Sequence, residues 1–183
     1  MTPEHDPQEL LARSSLLVSQ ADVRAAVDRM AAQVNEYYGD TPLIMLIVMT
    51  GAVMPAAWLA SRLKMPLQMD FMHATRYTGT TEGGEIEFRV PPRLNLQDHD
   101  ILVVDDIYDI GLTLEMIENY CVSREARSVN SAVLVRKLHG RPTAGRLPRF
   151  IGLDVEDKYI FGCGMDAYEH WRHLHEIRAL EEA

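Results

Sequence analysis

Three short runs, made up almost wholly of apolar residues, limit the folds open to this chain. They lie at 43–49 (LIMLIVM), 101–104 (ILVV) and 129–135 (VNSAVLV). Each is too short for a core helix and shows no alternation of polar and apolar residues, which predicts strands buried on both faces. Patterns with helical spacing follow the first two runs. Buried strands that alternate with helices predict an α/β fold with a mostly parallel central sheet flanked by helices.

Helix signals and chain length support a single domain. Residues 22–38 carry apolar side chains at helical spacing, and Ser19 with Asp22 resembles a capping box in front of them. Two more helices are predicted, one after 43–49 (VMPAAWLASRLK) and one after 101–104 (LTLEMIENYCV). A length of 183 residues favours one domain, here 1–183.

Composition excludes several kinds of partner. The net charge of -9 argues against nucleic-acid binding, which needs clustered Lys and Arg. No apolar run approaches the roughly 20 residues of a membrane span, and the first residues do not form a secretory signal. The chain has two cysteines, far apart in sequence, so a disulfide framework is not expected. We therefore expect a cytoplasmic protein without a nucleic-acid or membrane partner.

The segment ILVVDDIYDIGLT, at 101–113, carries the clearest chemical signal. Asp105 and Asp106 follow a buried strand, so we expect both carboxylates to emerge toward solvent at the sheet edge, where a ribose diol or a metal ion would suit them. Residues 110–113 start a helix, whose free N–H groups favour an anion, and Gly111 permits close approach of a ligand. The segment predicts a phosphate cradle beside a diol-binding pair. The alternative is a solvated turn whose acids have no ligand.

This segment resembles the phosphoribosyl-diphosphate signature of the type I phosphoribosyltransferases. Four other segments, in the same order and spacing, resemble the hypoxanthine-guanine branch of that family. They are VMTGAVMPAAWLA, similar to its pyrophosphate loop; TRYTGTTEGGE, similar to its mobile catalytic loop; and AVLVRK with DKYIFGCGMDAYEHWRHL, similar to its purine-binding segments.

The resemblance implies an architecture and an activity. It implies a core at about 40–153 and a small hood from about 1–20 and 154–183. It implies transfer of phosphoribose from phosphoribosyl diphosphate to hypoxanthine or guanine, with Mg²⁺, in a homodimer or homotetramer that serves purine salvage.

The resemblance also implies roles for individual residues. Asp109 would act as the general base at the purine ring, where a carboxylate can accept a proton, or would stabilise charge that develops on the purine. Asp166 and Arg172, six residues apart, would lie on either side of a turn and a short helix. The residues implied to bind the substrates are Asp105, Asp106, Ile110, Gly111, Leu112 and Thr113 for the ribose and its 5′-phosphate; Thr50, Gly51 and Arg172 for pyrophosphate; and Lys137, Tyr159 and Ile160 for a 6-oxopurine. Arg76 and Tyr77 would belong to a lid, and Asp166 would be the metal ligand.

Two positions depart from the family pattern. Ile110 replaces a threonine whose hydroxyl would contact the 5′-phosphate, which predicts weaker binding of phosphoribosyl diphosphate. Thr50 stands where the pyrophosphate loop often has lysine. The first departure leaves open a regulatory protein that binds nucleotide with little turnover. A transferase preferring xanthine, or acting on a pyrimidine, is a further alternative.

Overall fold

The computed structural model describes residues 6–76 and 86–181 of the chain. Its helices are α1 (Pro7–Ala12), α2 (Gln20–Tyr38), α3 (Val53–Ala60) and α4 (Leu112–Ser123). Its strands are β1 (Ser14–Val18), β2 (Leu43–Val48), β3 (Leu67–Arg76), β4 (Ile86–Val90), β5 (Asp100–Tyr108), β6 (Ser128–Leu138), β7 (Phe150–Glu156), β8 (Ile160–Phe161) and β9 (Ile177–Leu180). No helix within these ranges is both long enough and apolar enough to cross a membrane.

The main sheet has the strand order β4-β3-β2-β5-β6-β7. Neighbouring strands are parallel except β4, which pairs antiparallel with β3. Strand β5 lies between β2 and β6, and all of its residues except Ile107 are buried. The predicted α/β architecture with a mostly parallel sheet is confirmed, and its central strand is the one that carries the acidic segment.

Helices cover both faces of this sheet. On one face, α4 buries Leu114 and Ile117 against alternate residues of β2 and β5, such as Leu46 and Val103. On the other face, α2 and α3 pack on the intervening residues of the same strands, and Met45 lies in that cluster. Because both faces are covered, the central strands read as continuous apolar runs in the sequence.

Local signals set the bounds of α2. The Ser19 hydroxyl accepts a hydrogen bond from the Asp22 N–H at 3.2 Å and donates one to its carboxylate at 2.5 Å. Gly39 ends the helix with a positive φ of 55°, a conformation that glycine adopts without steric cost. The predicted N-cap at Ser19 and the helix that follows it are confirmed, although the Asp22 carboxylate bonds the Ser19 hydroxyl and not the backbone N–H that a capping box would use.

A second, antiparallel sheet joins distant parts of the chain. Strand β9 pairs with β1 on one side and with β8 on the other. Strand β1 is thereby connected through β9 to β8, which contains the candidate residue Ile160.

Three local expectations need correction. Strand β5 continues through Asp105 and Asp106 to Tyr108, because β6 pairs with it along that whole length. Strand β6 likewise extends beyond the apolar run 129–135 to Leu138, so Lys137 lies within the strand. The short helix expected between Asp166 and Arg172 is absent; turns with positive φ at Tyr168, Glu169 and Trp171 occupy that stretch.

Candidate active site

A cavity of about 540 Å³ lies at the carboxyl ends of β2 and β5. This is the edge of a parallel sheet where ligands bind in α/β proteins. Its walls come from 48–51, from 105–114, and from Arg172 in the C-terminal part of the chain. His73, Arg89 and Glu169 complete the lining, and the sequence had given no reason to select them.

Asp105 and Asp106 are buried in the floor of this cavity, with only 8% and 9% of their surface exposed. The expectation that they emerge toward solvent is wrong, since β5 continues past them between two neighbouring strands and the loop after β2 covers them. Burial raises the pKa of the Asp105 carboxyl well above its usual range, and the Asp106 charge raises it further. Burial also raises the pKa of Asp106, while the positive charge of Arg172 partly offsets the shift.

Close backbone approach joins three segments at this floor. A side chain on Gly51 would place its Cβ 2.0 Å from Oδ2 of Asp106, and one on Gly164 would place its Cβ 1.9 Å from the Gly51 carbonyl oxygen. The peptide bond between Met49 and Thr50 is cis. The pyrophosphate-loop candidates Thr50 and Gly51 therefore lie directly beside the ribose candidates.

The start of α4 forms the far wall. Gly111 is the N-cap residue, has a φ of 82°, and leaves the first helical N–H groups without a side-chain cap. The Ala144 N–H donates to the Ile110 carbonyl at 2.7 Å, and a Cβ on Gly111 would lie 2.6 Å from the Ala144 carbonyl oxygen. The loop after β6 thus supports the turn that presents Leu112 and Thr113 to the cavity.

Asp109 differs from the two buried acids, because charged and polar groups already contact its carboxylate. Its Oδ1 lies 2.8 Å from Nη2 of Arg141 and 3.1 Å from Nε2 of His139. The same Arg141 nitrogen donates to Asp157, which in turn lies 3.7 Å from Nζ of Lys137. Alternating charges therefore connect Asp109, which lines the cavity, to Lys137 through Arg141 and Asp157.

Among the described candidates, Lys137, Tyr159, Ile160 and Asp166 do not line the cavity. Tyr159 is half-exposed and stacks on Tyr168, with ring centroids 5.9 Å apart, whereas Ile160 is buried in β8. Asp166 forms an ion pair with Arg172 at 2.7 Å and accepts the Glu169 N–H at 2.8 Å. Arg76 is the last residue of β3; Tyr77 and most of the predicted lid lie outside the described residues.

The sequence motifs did not select four residues that contact the candidates. They are His139 and Arg141 beside Asp109, Asp157 beside Lys137, and Glu169 beside Asp166 and Arg172. A signal for two of them was present. His139 and Arg141 follow Lys137 by two and four residues, directly after the end of β6, where a parallel strand delivers its side chains to the ligand-binding edge.

The chain belongs to the phosphoribosyltransferase family, because the family model for the phosphoribosyl transferase domain matches residues 17–164. Two relatives are similar over almost their whole length. The hypoxanthine-guanine phosphoribosyltransferase of Bacillus subtilis is 31% identical, over 92% of this chain and 93% of the relative. The hypoxanthine-guanine-xanthine phosphoribosyltransferase of Tritrichomonas foetus is 30% identical, over 92% of each chain.

A solved structure agrees with these relatives. The hypoxanthine phosphoribosyltransferase of Staphylococcus aureus superposes with a TM-score of 0.85 at 27% identity and covers 91% of each chain. The resemblance to the hypoxanthine-guanine branch, identified from the sequence motifs, is confirmed.

Proposed function

We propose that the protein is a purine-salvage enzyme. It transfers phosphoribose from phosphoribosyl diphosphate to N9 of hypoxanthine or guanine, and forms IMP or GMP and pyrophosphate. The observation that carries this proposal is the single cavity in which Asp105, Asp106 and the start of α4 face the loop at Thr50 and Gly51, with Asp109 at one side. Diol, phosphate, pyrophosphate and base would each have a distinct wall.

The phosphoribose would bind along β5 and α4. Asp105 and Asp106 would accept hydrogen bonds from the two ribose hydroxyls, the donors that a buried carboxylate pair requires. The backbone N–H groups at 111–113, with the Thr113 hydroxyl, would hold the 5′-phosphate, because the first turn of a helix offers unpaired donors and a favourable dipole. Ile110 would contribute only its backbone.

The purine would lie between Asp109 and the segment around Tyr159. Lys137 would donate a hydrogen bond to the 6-oxo group, which an adenine amino group cannot accept. Tyr159 would stack on the ring, and the backbone of Ile160 would face the base. Asp109 would take the proton that leaves the purine ring as N9 bonds to the ribose.

The pyrophosphate would leave along the other wall, against Thr50, Gly51 and Arg172. Asp166 fits a role as ligand for Mg²⁺, since that ion is commonly bound through one carboxylate together with substrate phosphates and waters, and Asp166 is partly exposed beside Arg172. When bound, Mg²⁺ would neutralise charge on the departing pyrophosphate. Arg172 would exchange part of its contact with Asp166 and Glu169 for a phosphate oxygen.

A closing segment and an assembly complete the proposal. Arg76 and Tyr77 would belong to a lid that excludes water, which would otherwise hydrolyse phosphoribosyl diphosphate. The enzyme would act in the cytoplasm as a homodimer or homotetramer. Size-exclusion chromatography with light scattering measures that state directly.

One experiment tests the activity. The full chain is incubated with Mg²⁺, phosphoribosyl diphosphate and hypoxanthine, guanine, xanthine or a pyrimidine in turn, and nucleotide formation is followed. Product with hypoxanthine or guanine supports the proposal. Product only with xanthine would show that the enzyme prefers xanthine to hypoxanthine and guanine. No product with any base would favour the regulatory, nucleotide-binding alternative.

A further inference from the structure

We propose that His139 is a positioning residue for Asp109: it holds the carboxylate of the catalytic base in the direction needed for proton transfer. The proposal rests on the proposed role of Asp109. It adds a residue from a different segment, the loop that follows β6, to the machinery of the reaction.

The first argument is geometric. The His139 side chain is only 4% exposed, and its Nε2 lies 3.1 Å from Oδ1 of Asp109. The same nitrogen lies 3.2 Å from the Asp109 backbone carbonyl. One ring atom therefore contacts both the side chain and the main chain of the same residue, and this fixes the carboxylate relative to its own backbone.

The second argument concerns the tautomer. The backbone N–H of Arg141 points at Nδ1 of His139, at 3.2 Å. A nitrogen that accepts a hydrogen bond carries no proton, so in the neutral ring the proton must be on Nε2. Nε2 is then a donor, and both of its neighbours at Asp109 are acceptors. The local turn 139–141 thus sets the imidazole to donate toward the base.

The third argument separates His139 from Arg141, which also contacts Asp109. Arg141 is 48% exposed and shares one nitrogen between Asp109 and Asp157. Exposed ion pairs contribute little and tolerate many geometries, because water competes and long side chains rotate. The His139 ring is shielded from water and cannot rotate as a long side chain does. Arg141, together with Asp157 and Lys137, places charges near Asp109, whereas His139 fixes the orientation of the Asp109 carboxylate.

Direction matters because proton transfer requires the acceptor oxygen within hydrogen-bond reach of the purine nitrogen. A carboxylate that rotates away from this position lowers the fraction of productive complexes without changing the affinity for phosphoribosyl diphosphate. Loss of His139 should therefore lower kcat and leave the KM for that substrate unchanged.

Two substitutions separate this role from simple packing. His139→Asn places an amide near the position of Nδ1, so it keeps an acceptor for the Arg141 N–H but leaves no donor at Asp109. His139→Gln is longer and places an amide donor near the position of Nε2. We expect His139→Asn to lower kcat about tenfold, the effect of one hydrogen bond to a charged group, and His139→Gln to restore most of the loss.

The same exchange at an exposed position serves as the control. His99→Asn changes an exposed ring that contacts the Gln97 carbonyl just before β5 begins, at the opposite end of that strand from the cavity, and should leave kcat unchanged. A wild-type kcat in His139→Asn would overturn the proposal. So would equal losses in the Asn and Gln variants that follow their losses in melting temperature, since that pattern describes packing alone.

A measurement without turnover keeps the two proposals distinguishable. In a crystal structure of His139→Asn, the Asp109 carboxylate should rotate about its side-chain bonds or become disordered, while β5 stays in place. An Asp109 carboxylate in its original position would contradict the positioning role. Absence of nucleotide formation in the wild-type protein would contradict the proposed function and not this contact.

Discussion

Asp105 and Asp106 on one side, and Asp109 on the other, are acids of one short segment in opposite environments. The first two are buried, and none of the ion pairs within 6–76 and 86–181 includes either of them. Asp109 is 39% exposed, yet it contacts both Arg141 and His139. The buried pair is bonded by backbone N–H groups and by its own neighbouring carboxyl, as in the 2.9 Å bond from the Asp106 N–H to Asp105, whereas a guanidinium and an imidazole contact Asp109.

In the proposed function, this difference separates substrate binding from catalysis within one short segment, the end of β5 and the residue that follows it. Groups that recognise a substrate gain most when they are unsatisfied before it arrives and satisfied afterwards. A proton acceptor must instead hold its charge and its direction throughout the cycle. Substitutions at the two places should therefore change different kinetic constants.

Asp109→Asn should have the largest effect among the substitutions that test this difference between the acids. The amide keeps the shape but cannot accept a proton, so kcat should fall about 10²–10⁴-fold, the range for a general base. Binding of the nucleotide product, measured by calorimetry, should change little. Asp28→Asn, in an exposed ion pair with Arg62, serves as the control. An unaffected kcat would remove Asp109 from the mechanism.

Substitution of the buried pair should act on the other constant. Asp105→Asn and Asp106→Asn each weaken a hydrogen bond between a charged acceptor and a ribose hydroxyl, worth about 1.5–3 kcal/mol. The KM for phosphoribosyl diphosphate should rise about 10–100-fold, with a smaller change in the KM for the base. Steady-state kinetics with each substrate varied in turn measures both. An equal rise in the two KM values would contradict the assignment to ribose.

Ile110→Thr tests the proposed phosphate wall, which the turn before α4 forms next to Asp109. A hydroxyl at this position would donate to the 5′-phosphate and should lower the KM for phosphoribosyl diphosphate by up to about tenfold. Ile110→Val is the matched control, because valine has the shape of threonine without its hydroxyl. An unchanged or higher KM in the threonine variant, or the same decrease in both, would count against a missing phosphate contact.

The smallest effect concerns stability. Burial raises the pKa of Asp105 above the 3.8 of a free carboxyl, so the native state favours the protonated form. Below pH 3.8 the group is protonated in both folded and unfolded chains and costs nothing. As pH rises through the native pKa, the unfolded chain ionises more easily and the native state loses stability relative to it.

Asp105→Asn removes this pH-dependent loss. We expect its melting temperature near neutral pH to exceed that of the wild type, because the neutral amide carries no cost of ionisation at this buried position. The gain should shrink as pH falls toward 4. Calorimetric scans across this range check the sign; a gain that grows at low pH would contradict the burial argument.

Much of this molecule could be predicted from its sequence, since its signals are local. Apolar runs gave β2, β5 and β6, and Ser19 with Asp22 gave the start of α2. The burial of Asp105 and Asp106 could not be read in the same way, because it depends on how far β6 pairs with β5 and on the approach of Gly51. These are contacts between segments far apart in the chain.

The sequence motifs selected the part of the candidate site that is local in the chain. Motif spacing selected the residues that line the cavity along β5 and α4, because they are consecutive. It did not select His139, which contacts Asp109 from 30 residues away. It did not select Asp157 either, which bonds Arg141 from 16 residues away. The helix expected between Asp166 and Arg172 failed for a related reason: Gly164 must approach Gly51, and β-bridges and turns place it there.

The small sheet of β1, β9 and β8 has a practical consequence for anyone who handles the protein. Residue Tyr159, the proposed stacking partner of the base, directly precedes β8, and its carbonyl accepts the Leu180 N–H of β9 at 2.9 Å. Strand β9 is in turn anchored by β1 near the other end of the chain. An affinity tag or a truncation that disturbs β1 would therefore loosen the purine side of the pocket from a distance, and tag placement should be checked by comparing the KM for the base before and after cleavage.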